Sequence, residues 1–309
     1  MTTIDQQGFF QDPPGLRDEW EDDRALRAYL RRVLPPEVLS EVTPALAELG
    51  WLAASDLYEL HLEMDRPESE PRLVRFDAWG RRVDRIETAP AWKEIGRHAA
   101  RHGIVAAGYE DRFGAHDRVH QFALAYLFTP SSGLYGCPLA MTDGAAKTLL
   151  VHGDRNLVDR TVPRLTTRDP DEMWTSGQWM TERTGGSDVG LSETVARRGD
   201  DGTWRLHGTK WFTSATTADC ALALARPEGA SEGSRGLGLF LVERIDPRSG
   251  QTQLGSTILV NRLKDKLGTR ALPTAELTLA GAYATPVGSV DNGLKKIAGM
   301  LNVTRTHNA

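Results

Sequence analysis

Groups suited to anion binding are concentrated in residues 178–190, which read QWMTERTGGSDVG. An apolar and aromatic stretch leads to Thr181, and a Gly185-Gly186-Ser187 bend follows it. Exposed backbone N–H groups in such a bend, together with a hydroxyl, can bind an anion without any net charge. For one glycine pair in isolation, an ordinary loop at the end of a strand is the better interpretation, because short glycine motifs match by chance.

A second segment combines aromatic rings with hydroxyl groups. Residues 208–215 read GTKWFTSA, so that Trp211 and Phe212 are followed by Thr213 and Ser214 on a predicted strand. Aromatic residues beside hydroxyl residues can stack against a flat heteroaromatic ring and hydrogen-bond to it. Taken alone, a strand with one aromatic in the core and its neighbour outside is the simpler explanation.

Two histidine pairs have a spacing that suits metal binding on a helix. His98 and His102 lack the Glu of a zinc-protease motif, and His116 and His120 lack an evident third ligand. Solvated helical histidines are the better interpretation of both pairs, since short motifs give many false positives. We therefore predict no metal site.

Three further features are interpreted structurally. Cys137 precedes Pro138 and is expected to be a packed, unreactive thiol, because nothing in the local sequence would depress its pKa. Glu182 and Asp188 look like a carboxylate pair but are expected to have structural roles. A basic patch is expected to be a solvated face rather than a DNA site; it consists of Arg75, Arg81, Arg82 and Arg85.

Hydrophobic spacing predicts helices in the first half of the chain, at residues 24–34, 36–50, 91–107, 118–128 and 139–151. A turn or short hairpin is predicted at 76–85. After residue 171 strands dominate, with a hairpin around residues 199–202 and further strands at 220–225, 238–243, 253–259 and 275–279. Helical spacing returns after Pro286. A helical half followed by a strand-rich half predicts an α+β protein with separately packed domains.

Composition excludes several classes of protein. The chain has 309 residues with 40% hydrophobic content, which disfavours disorder. A net charge of −5 does not favour a nucleic-acid surface over the whole chain. Two cysteines are too few for a disulfide scaffold and favour a reducing compartment. No apolar run is long enough to span a membrane, and the acidic start resembles no targeting signal, so we expect a cytoplasmic protein.

Together and in this order, the two segments resemble motifs of the acyl-CoA dehydrogenase family. The first is similar to the family's TE-x-x-x-GSD flavin-binding motif, and the second to its G-x-K-x-W-x-T strand. Residues 264–270, KDKLGTR, are similar to a K-x-G-x-R stretch of the family's β-domain. The nearest resemblance is to the AidB-like branch of adaptive-response flavoproteins, carried by RLVRFDAWGRRVDR, the Cys137-Pro138-Leu139 loop, WMTERTGGSDV and RLKDKLGTR.

The resemblance implies that the protein binds FAD. Thr181 would hydrogen-bond the flavin ring, and Ser187 would lie beside the FAD pyrophosphate and the incoming acyl-CoA. Phe212 stands where most relatives have Trp, which keeps an aromatic wall but loses the indole N–H. Ser214 stands where they have the Thr that hydrogen-bonds flavin N5. The remaining residues carried over are Gln178, Met180, Gly186 and Thr213 for FAD, and Arg305 for the acyl-CoA substrate.

The family removes an α-proton from an acyl-CoA thioester with a Glu, while a β-hydride passes to flavin N5. One position used for that Glu precedes the Arg that resembles Arg305; here it holds Thr304, which cannot act as a base. The resemblance therefore implies a base beyond Ala309, a C-terminal helical domain that is mostly missing, and impaired activity. It divides the chain into a helical N-terminal domain at 1–172, a β-barrel-like middle domain at 173–285 and the start of the C-terminal domain at 286–309.

Two other interpretations stay open. The chain could be a non-catalytic, AidB-like alkylation-response protein associated with DNA, or an inactive truncated product. By resemblance, the partners would be an acyl-CoA thioester and an electron acceptor of unknown identity. The family forms homo-oligomers, which the short C-terminal domain makes doubtful here.

Overall fold

The computed structural model describes residues 14–309, so the first 13 residues of the predicted N-terminal domain lie outside the described part of the chain. Helices dominate up to residue 165. In chain order they are α1 Glu19–Asp22, α2 Arg24–Val33, α3 Pro36–Ala54, α4 Asp56–Met64, α5 Pro90–Arg101, α6 Asp117–Phe128, α7 Gly136–His152 and α8 Arg155–Leu165. Of these helices, α1, α4 and α8 were not predicted from the hydrophobic spacing. No helix in residues 14–309 is long and apolar enough to cross a membrane.

Two predicted helix ends are wrong. Gly50 was expected to end the second long helix, but α3 continues to Ala54. Gly50 instead permits close packing, since a Cβ there would lie 2.5 Å from the backbone nitrogen of Trp20. The helix predicted at 91–107 ends at Arg101, because Gly103 adopts a φ of +66° that breaks the helical hydrogen bonding.

The strands of the described chain form a hairpin and a seven-stranded sheet. They are β1 Arg72–Phe76, β2 Arg82–Glu87, β3 Ser176–Trp179, β4 Val195–Arg198, β5 Trp204–Ser214, β6 Cys220–Pro227, β7 Gly238–Glu243, β8 Ile258–Leu263 and β9 Thr274–Pro286. The hairpin predicted at 76–85 and the one around 199–202 are both confirmed. The strand predicted at 253–259 is wrong in position, since Gln253 caps a turn there and β8 begins at Ile258.

The large sheet closes into a barrel. Strands β6, β4, β5, β9 and β7 pair in that order, and β7 also pairs with β6, which completes the ring. Strand β3 extends β6 in parallel, and β8 pairs with β9. Closure satisfies the backbone groups that an open sheet would leave at its edges. The barrel-like middle domain and the α+β class are therefore confirmed.

Strand β6 joins the barrel to the helical domain because both of its faces are buried. Ala221 and Ala223 belong to the barrel core, whereas Leu222 and Leu224 pack into the core of the helices. The side chains alternate because successive residues of a strand point to opposite faces. Such a doubly buried strand reads as a continuous apolar run, CALALA, and so it was recognised from the sequence.

The last element, α9, spans Gly293–His307 and packs along α7. The two helices approach closely at Gly144, where a Cβ would lie 2.6 Å from Cγ of Met300. At the end of α9, His307 Nε2 lies 2.8 Å from Oδ2 of the fully buried Asp143. Asp143 also accepts hydrogen bonds from Tyr109 and Arg118, so a buried polar cluster ties α9 to the N-terminal helices.

Candidate functional site

The two motif segments lie side by side at one end of the barrel. Strand β3 leads into the loop that contains Thr181, and the backbone N–H of Trp211 on β5 donates to the Thr181 carbonyl at 2.9 Å. The ends of β3 and β5 are also neighbours, since a Cβ at Gly177 on β3 would lie at ordinary contact distance, 3.4 Å, from the carbonyl oxygen of Ser214. Residues about 30 positions apart in sequence are thus neighbours in the fold.

A buried ion pair joins the two motifs. Lys210 Nζ on β5 donates to Oε1 of Glu182 at 2.6 Å and to the Leu224 carbonyl at 2.7 Å. Glu182 also accepts from the Thr194 hydroxyl at 2.6 Å and from the Glu193 N–H at 2.6 Å. The Lys210 side chain is 0% exposed and that of Glu182 3%. Every charge is paired inside the protein, as a buried ion pair requires.

These surroundings keep Glu182 ionised. Burial by itself raises the pKa of the Glu182 carboxyl, but the Lys210 ammonium and the hydrogen bonds from Thr194 and Glu193 outweigh burial and hold the pKa below its ordinary value. Asp188, the other member of the proposed carboxylate pair, instead accepts from the Gly190 N–H at 2.9 Å. The two carboxylates therefore have separate structural contacts, in agreement with the structural interpretation.

Gly208 is required by the close crossing of two strand segments. Its φ is +155°, and a Cβ there would lie 2.5 Å from Oγ1 and 2.7 Å from Cα of Thr194. Because Thr194 donates to Glu182, this contact brings the start of the GTKW segment against the partner of the ion pair. Gly208 and Lys210 therefore support the loop that contains Glu182 and do not lie exposed at its surface.

The glycine bend presents free backbone donors. Glu182 and Gly185 exchange hydrogen bonds of 3.1 and 3.2 Å, which close the turn. Beyond it, the N–H groups of Gly186, Ser187 and Asp188 donate to no group within residues 14–309. Free N–H groups on an exposed loop are available to an anion. The binding of an anion at Gly186 and Ser187 stays a prediction.

The end of β5 presents an aromatic side chain and a hydroxyl on one open face. Phe212 is 48% exposed, and Ser214, two residues on, is half-buried. Beside them Trp211 is covered, since Lys264 Nζ lies 3.8 Å from the centre of its ring. Lys264 in turn donates to Oε1 of Glu276 at 2.5 Å. Lys264 begins the KDKLGTR segment, and its packing on this aromatic pair leaves no local signal in the sequence.

The other predicted cofactor residues lie on the same two strands or directly after them. Gln178 on β3 has a buried Oε1 that lacks a partner within the described chain. Met180 is half-buried against the helical core. Thr213 is fully buried, and its hydroxyl donates to the Ala275 carbonyl at 2.7 Å. Its side chain is therefore occupied within the protein, whereas Gln178 has an acceptor to spare.

Arg305 is not brought to this end of the barrel by any described hydrogen bond or ion pair. It is exposed on the last turn of α9. The preceding Thr304 uses its hydroxyl to bond the Leu301 carbonyl at 3.0 Å within the helix. The role of Arg305 toward a substrate stays a prediction.

The remaining candidates have ordinary structural contacts. The rings of His98 and His102 stack 6.2 Å apart, and residues 14–309 contain no cluster of three side chains able to hold a metal. Burial raises the pKa of the Cys137 thiol, and the nearby Lys266 charge offsets this only partly. Most of the basic patch on the hairpin is neutralised by carboxylates, with Arg81 on Asp77, Arg82 on Asp84 and Arg85 on Glu87.

Two protein families match the chain in succession. Residues 12–172 match the adaptive response protein AidB N-terminal domain. Residues 177–282 match the acyl-CoA dehydrogenase middle domain.

Individual relatives match most of the chain. Acyl-CoA dehydrogenase family member 11 of Caenorhabditis elegans is 46% identical over 311 residues, which cover 98% of this chain and 49% of the relative. AidB of Escherichia coli (strain K12) is 33% identical over 76% of this chain and 43% of its own. The crystal structure of C. elegans ACDH-11 in complex with C11-CoA superimposes with a TM-score of 0.91 at 44% identity, covering 100% of this chain and 52% of that one. The chain thus spans about half the length of these relatives.

Proposed function

Because the chain belongs to the AidB-like branch of the acyl-CoA dehydrogenase family, we propose that it binds FAD at the end of the barrel formed by β3 and β5. We propose further that it takes part in the α,β-dehydrogenation of an acyl-CoA thioester. The observation that carries the proposal is that both segments meet at Thr181. The Trp211 N–H beside Phe212 donates to the Thr181 carbonyl, and a Cβ at Gly186 would lie 3.2 Å from Thr181 Cγ2.

The groups at this end fit such a cofactor. A pyrophosphate needs hydrogen-bond donors, and the N–H groups of Gly186 and Ser187 are free. A flavin ring needs a flat apolar surface and polar groups at its rim, which Phe212 and Ser214 supply. The buried Gln178 Oε1 is an acceptor that lacks a partner, and a ligand donor would remove that cost. Thr181 is half-buried beside Gly186 and completes the set.

When bound, FAD supplies the acceptor for a hydride, and the residues of this chain supply position. In this proposal Ser187 contacts both the cofactor phosphates and an acyl-CoA, and Phe212 covers one side of the ring. The Thr304 hydroxyl is bonded within its helix, so no described residue is assigned as the base.

A titration with FAD, followed by quenching of flavin fluorescence, tests the binding site. Loss of aromatic contact in F212A is expected to weaken binding about threefold to tenfold. Loss of one hydroxyl contact in S187A is expected to weaken it about fivefold. F76A is the matched control, because Phe76 is 54% exposed on the hairpin and away from the motifs. Equal affinity of F212A, S187A and F76A would refute the assigned position.

Anaerobic addition of an acyl-CoA thioester to the FAD-loaded protein tests the reaction. Slow bleaching of the visible flavin band is expected, since electrons from the substrate reduce the ring while no described residue is assigned as the base. Retention of the band with FAD fully bound would refute the reaction and leave cofactor binding standing.

A further inference from the structure

Three side chains form a continuous hydrogen-bonded row from the KDKLGTR loop to the tip of β5. Lys266 Nζ donates to Oγ1 of Thr274 at 3.0 Å, and Thr274 Oγ1 lies 3.2 Å from Oγ of Ser214. Thr274 is 2% exposed, whereas Ser214 is half-buried on the same open face as Phe212. The row therefore runs from the half-buried Lys266 through the buried Thr274 to the candidate flavin site.

Lys266 fixes the first link because an ammonium group donates and never accepts. Its Nζ also lies 2.5 Å from the Thr269 carbonyl oxygen and 2.7 Å from that of Leu272, so its three hydrogens have three acceptors. Burial lowers the pKa of Lys266 from its ordinary value, with the Cys137 thiol as the other titratable group near it. Burial raises the pKa of that thiol, so Cys137 stays neutral and does not compete for the ammonium.

The direction of the second link follows from distances. With one lone pair of Thr274 Oγ1 occupied by Lys266, the Thr274 hydrogen must go elsewhere. The Leu272 carbonyl oxygen also accepts from Thr274, but at 3.4 Å this bond is long and weak. Ser214 Oγ at 3.2 Å is the closer acceptor. Once Ser214 accepts from Thr274, its own hydrogen is free to point out of the protein.

We propose that Lys266 and Thr274 are positioning residues that make the Ser214 hydroxyl a hydrogen-bond donor toward the ring bound at the end of β5. The inference rests on the proposed function, since it deepens the role of the same site. Neither residue touches the ring, and both act through Ser214. The row gives Lys266, the first residue of the K-x-G-x-R stretch, a physical role. Through Thr274, it fixes the direction in which the Ser214 hydroxyl donates its hydrogen bond.

A double-mutant cycle on the FAD-loaded protein tests the proposal, with the FAD dissociation constant and the flavin midpoint potential as readouts. S214A is expected to weaken FAD about fivefold, the effect of one hydrogen bond, and to shift the potential. K266M and T274V are expected to change both readouts in the same direction as S214A. In the S214A background they are expected to have no further effect, because the row then has no end group. T274S, which keeps the hydroxyl, is expected to restore wild-type values.

Two controls separate this role from others. K295M removes an exposed lysine on α9 and should leave both readouts unchanged. A direct effect of the Lys266 charge on the ring would persist in the S214A background, and that result would overturn the proposal. So would a T274V variant with wild-type potential.

A chain that binds no FAD would refute the proposed function. The hydrogen bond between Thr274 and Ser214 is then tested on the FAD-free protein. In chemical denaturation of the FAD-free protein, S214A and T274V are expected to be non-additive, because each removes the same hydrogen bond. Additive losses would overturn the proposal independently of the cofactor.

Discussion

Replacing Lys210 by methionine is expected to lower the free energy of unfolding by about 3–5 kcal/mol, the cost of leaving one member of a buried ion pair without its partner. The magnitude follows from the surroundings. Lys210 is 0% exposed and lies 2.6 Å from Glu182, whose side chain is 3% exposed, so water cannot replace the lost ammonium. The Thr194 and Glu193 donors remain but carry no full charge.

The double variant E182Q/K210M separates charge from packing. An uncharged amide in place of Glu182 keeps an acceptor for Thr194 and removes the isolated buried charge. We expect it to recover most of the stability that K210M loses, since neutral groups of similar shape replace ion pairs at low cost. Urea unfolding followed by the fluorescence of the eight tryptophans measures all variants, and K295M provides the matched control at an exposed lysine.

The pH dependence gives a second, signed test of the same pair. In the wild type the pKa of Glu182 lies below its ordinary value of 4.5, so its contribution is present above about pH 4.5 and is lost as the pH falls through the folded-state pKa. In K210M, burial without the ammonium raises the pKa of Glu182. The stability of the variant should therefore increase as the pH is lowered toward the acid range. A loss below about 1 kcal/mol in K210M, or a double variant less stable than K210M, would refute the reasoning.

Two further predictions concern the support of the site and of α9. G208A is expected to cost about 1–3 kcal/mol in unfolding free energy, because its Cβ would lie 2.5 Å from the Thr194 hydroxyl. G268A, with no atom within 4 Å of its added Cβ, is the neutral control, and equal stability of the two variants would contradict this. H307A removes a partner of the buried Asp143 and is expected to lower the free energy of local unfolding of α9 by about 1–3 kcal/mol. This loss would be seen as faster amide exchange along α9. Unchanged exchange would show that the histidine does not anchor the helix.

Local signals in the sequence predicted local structure well. The Asp201-Gly202 pair marks the hairpin between β4 and β5, because Gly202 takes the positive φ of +77° that such a turn needs. The apolar run of β6 and the helical spacing of α6 gave the correct elements. The prediction that Gly50 ends a helix failed because the role of Gly50 depends on Trp20. That contact joins residues 30 positions apart, so no local sequence pattern indicates it.

In the candidate site, too, local features could be predicted from the sequence and contacts between distant segments could not. The bend at Gly185-Gly186-Ser187 and the exposed aromatic Phe212 could be predicted, since each is visible in a few consecutive residues. The partner of Glu182 could not be predicted. Asp188 lies near Glu182 in the sequence, but the residue that pairs with Glu182 is Lys210, 28 positions further on. Alternation along β5 places Lys210 on the face of the buried Leu206, but its partner Glu182 lies in another segment and leaves no local signal.

The direction in which a side chain faces separates the motif residues that can bind a ligand from those that support the loop. The residues that face outward, Ser187 and Phe212, are free to contact a ligand, and their loss should change affinity more than stability. Glu182 and Lys210 face inward and are fully bonded within the chain, so their loss should change stability first and affinity only through the shape of the loop. Measuring unfolding and FAD binding on the same four variants therefore tests the assignment as a whole, because a ligand-contacting Glu182 would reverse the expected order.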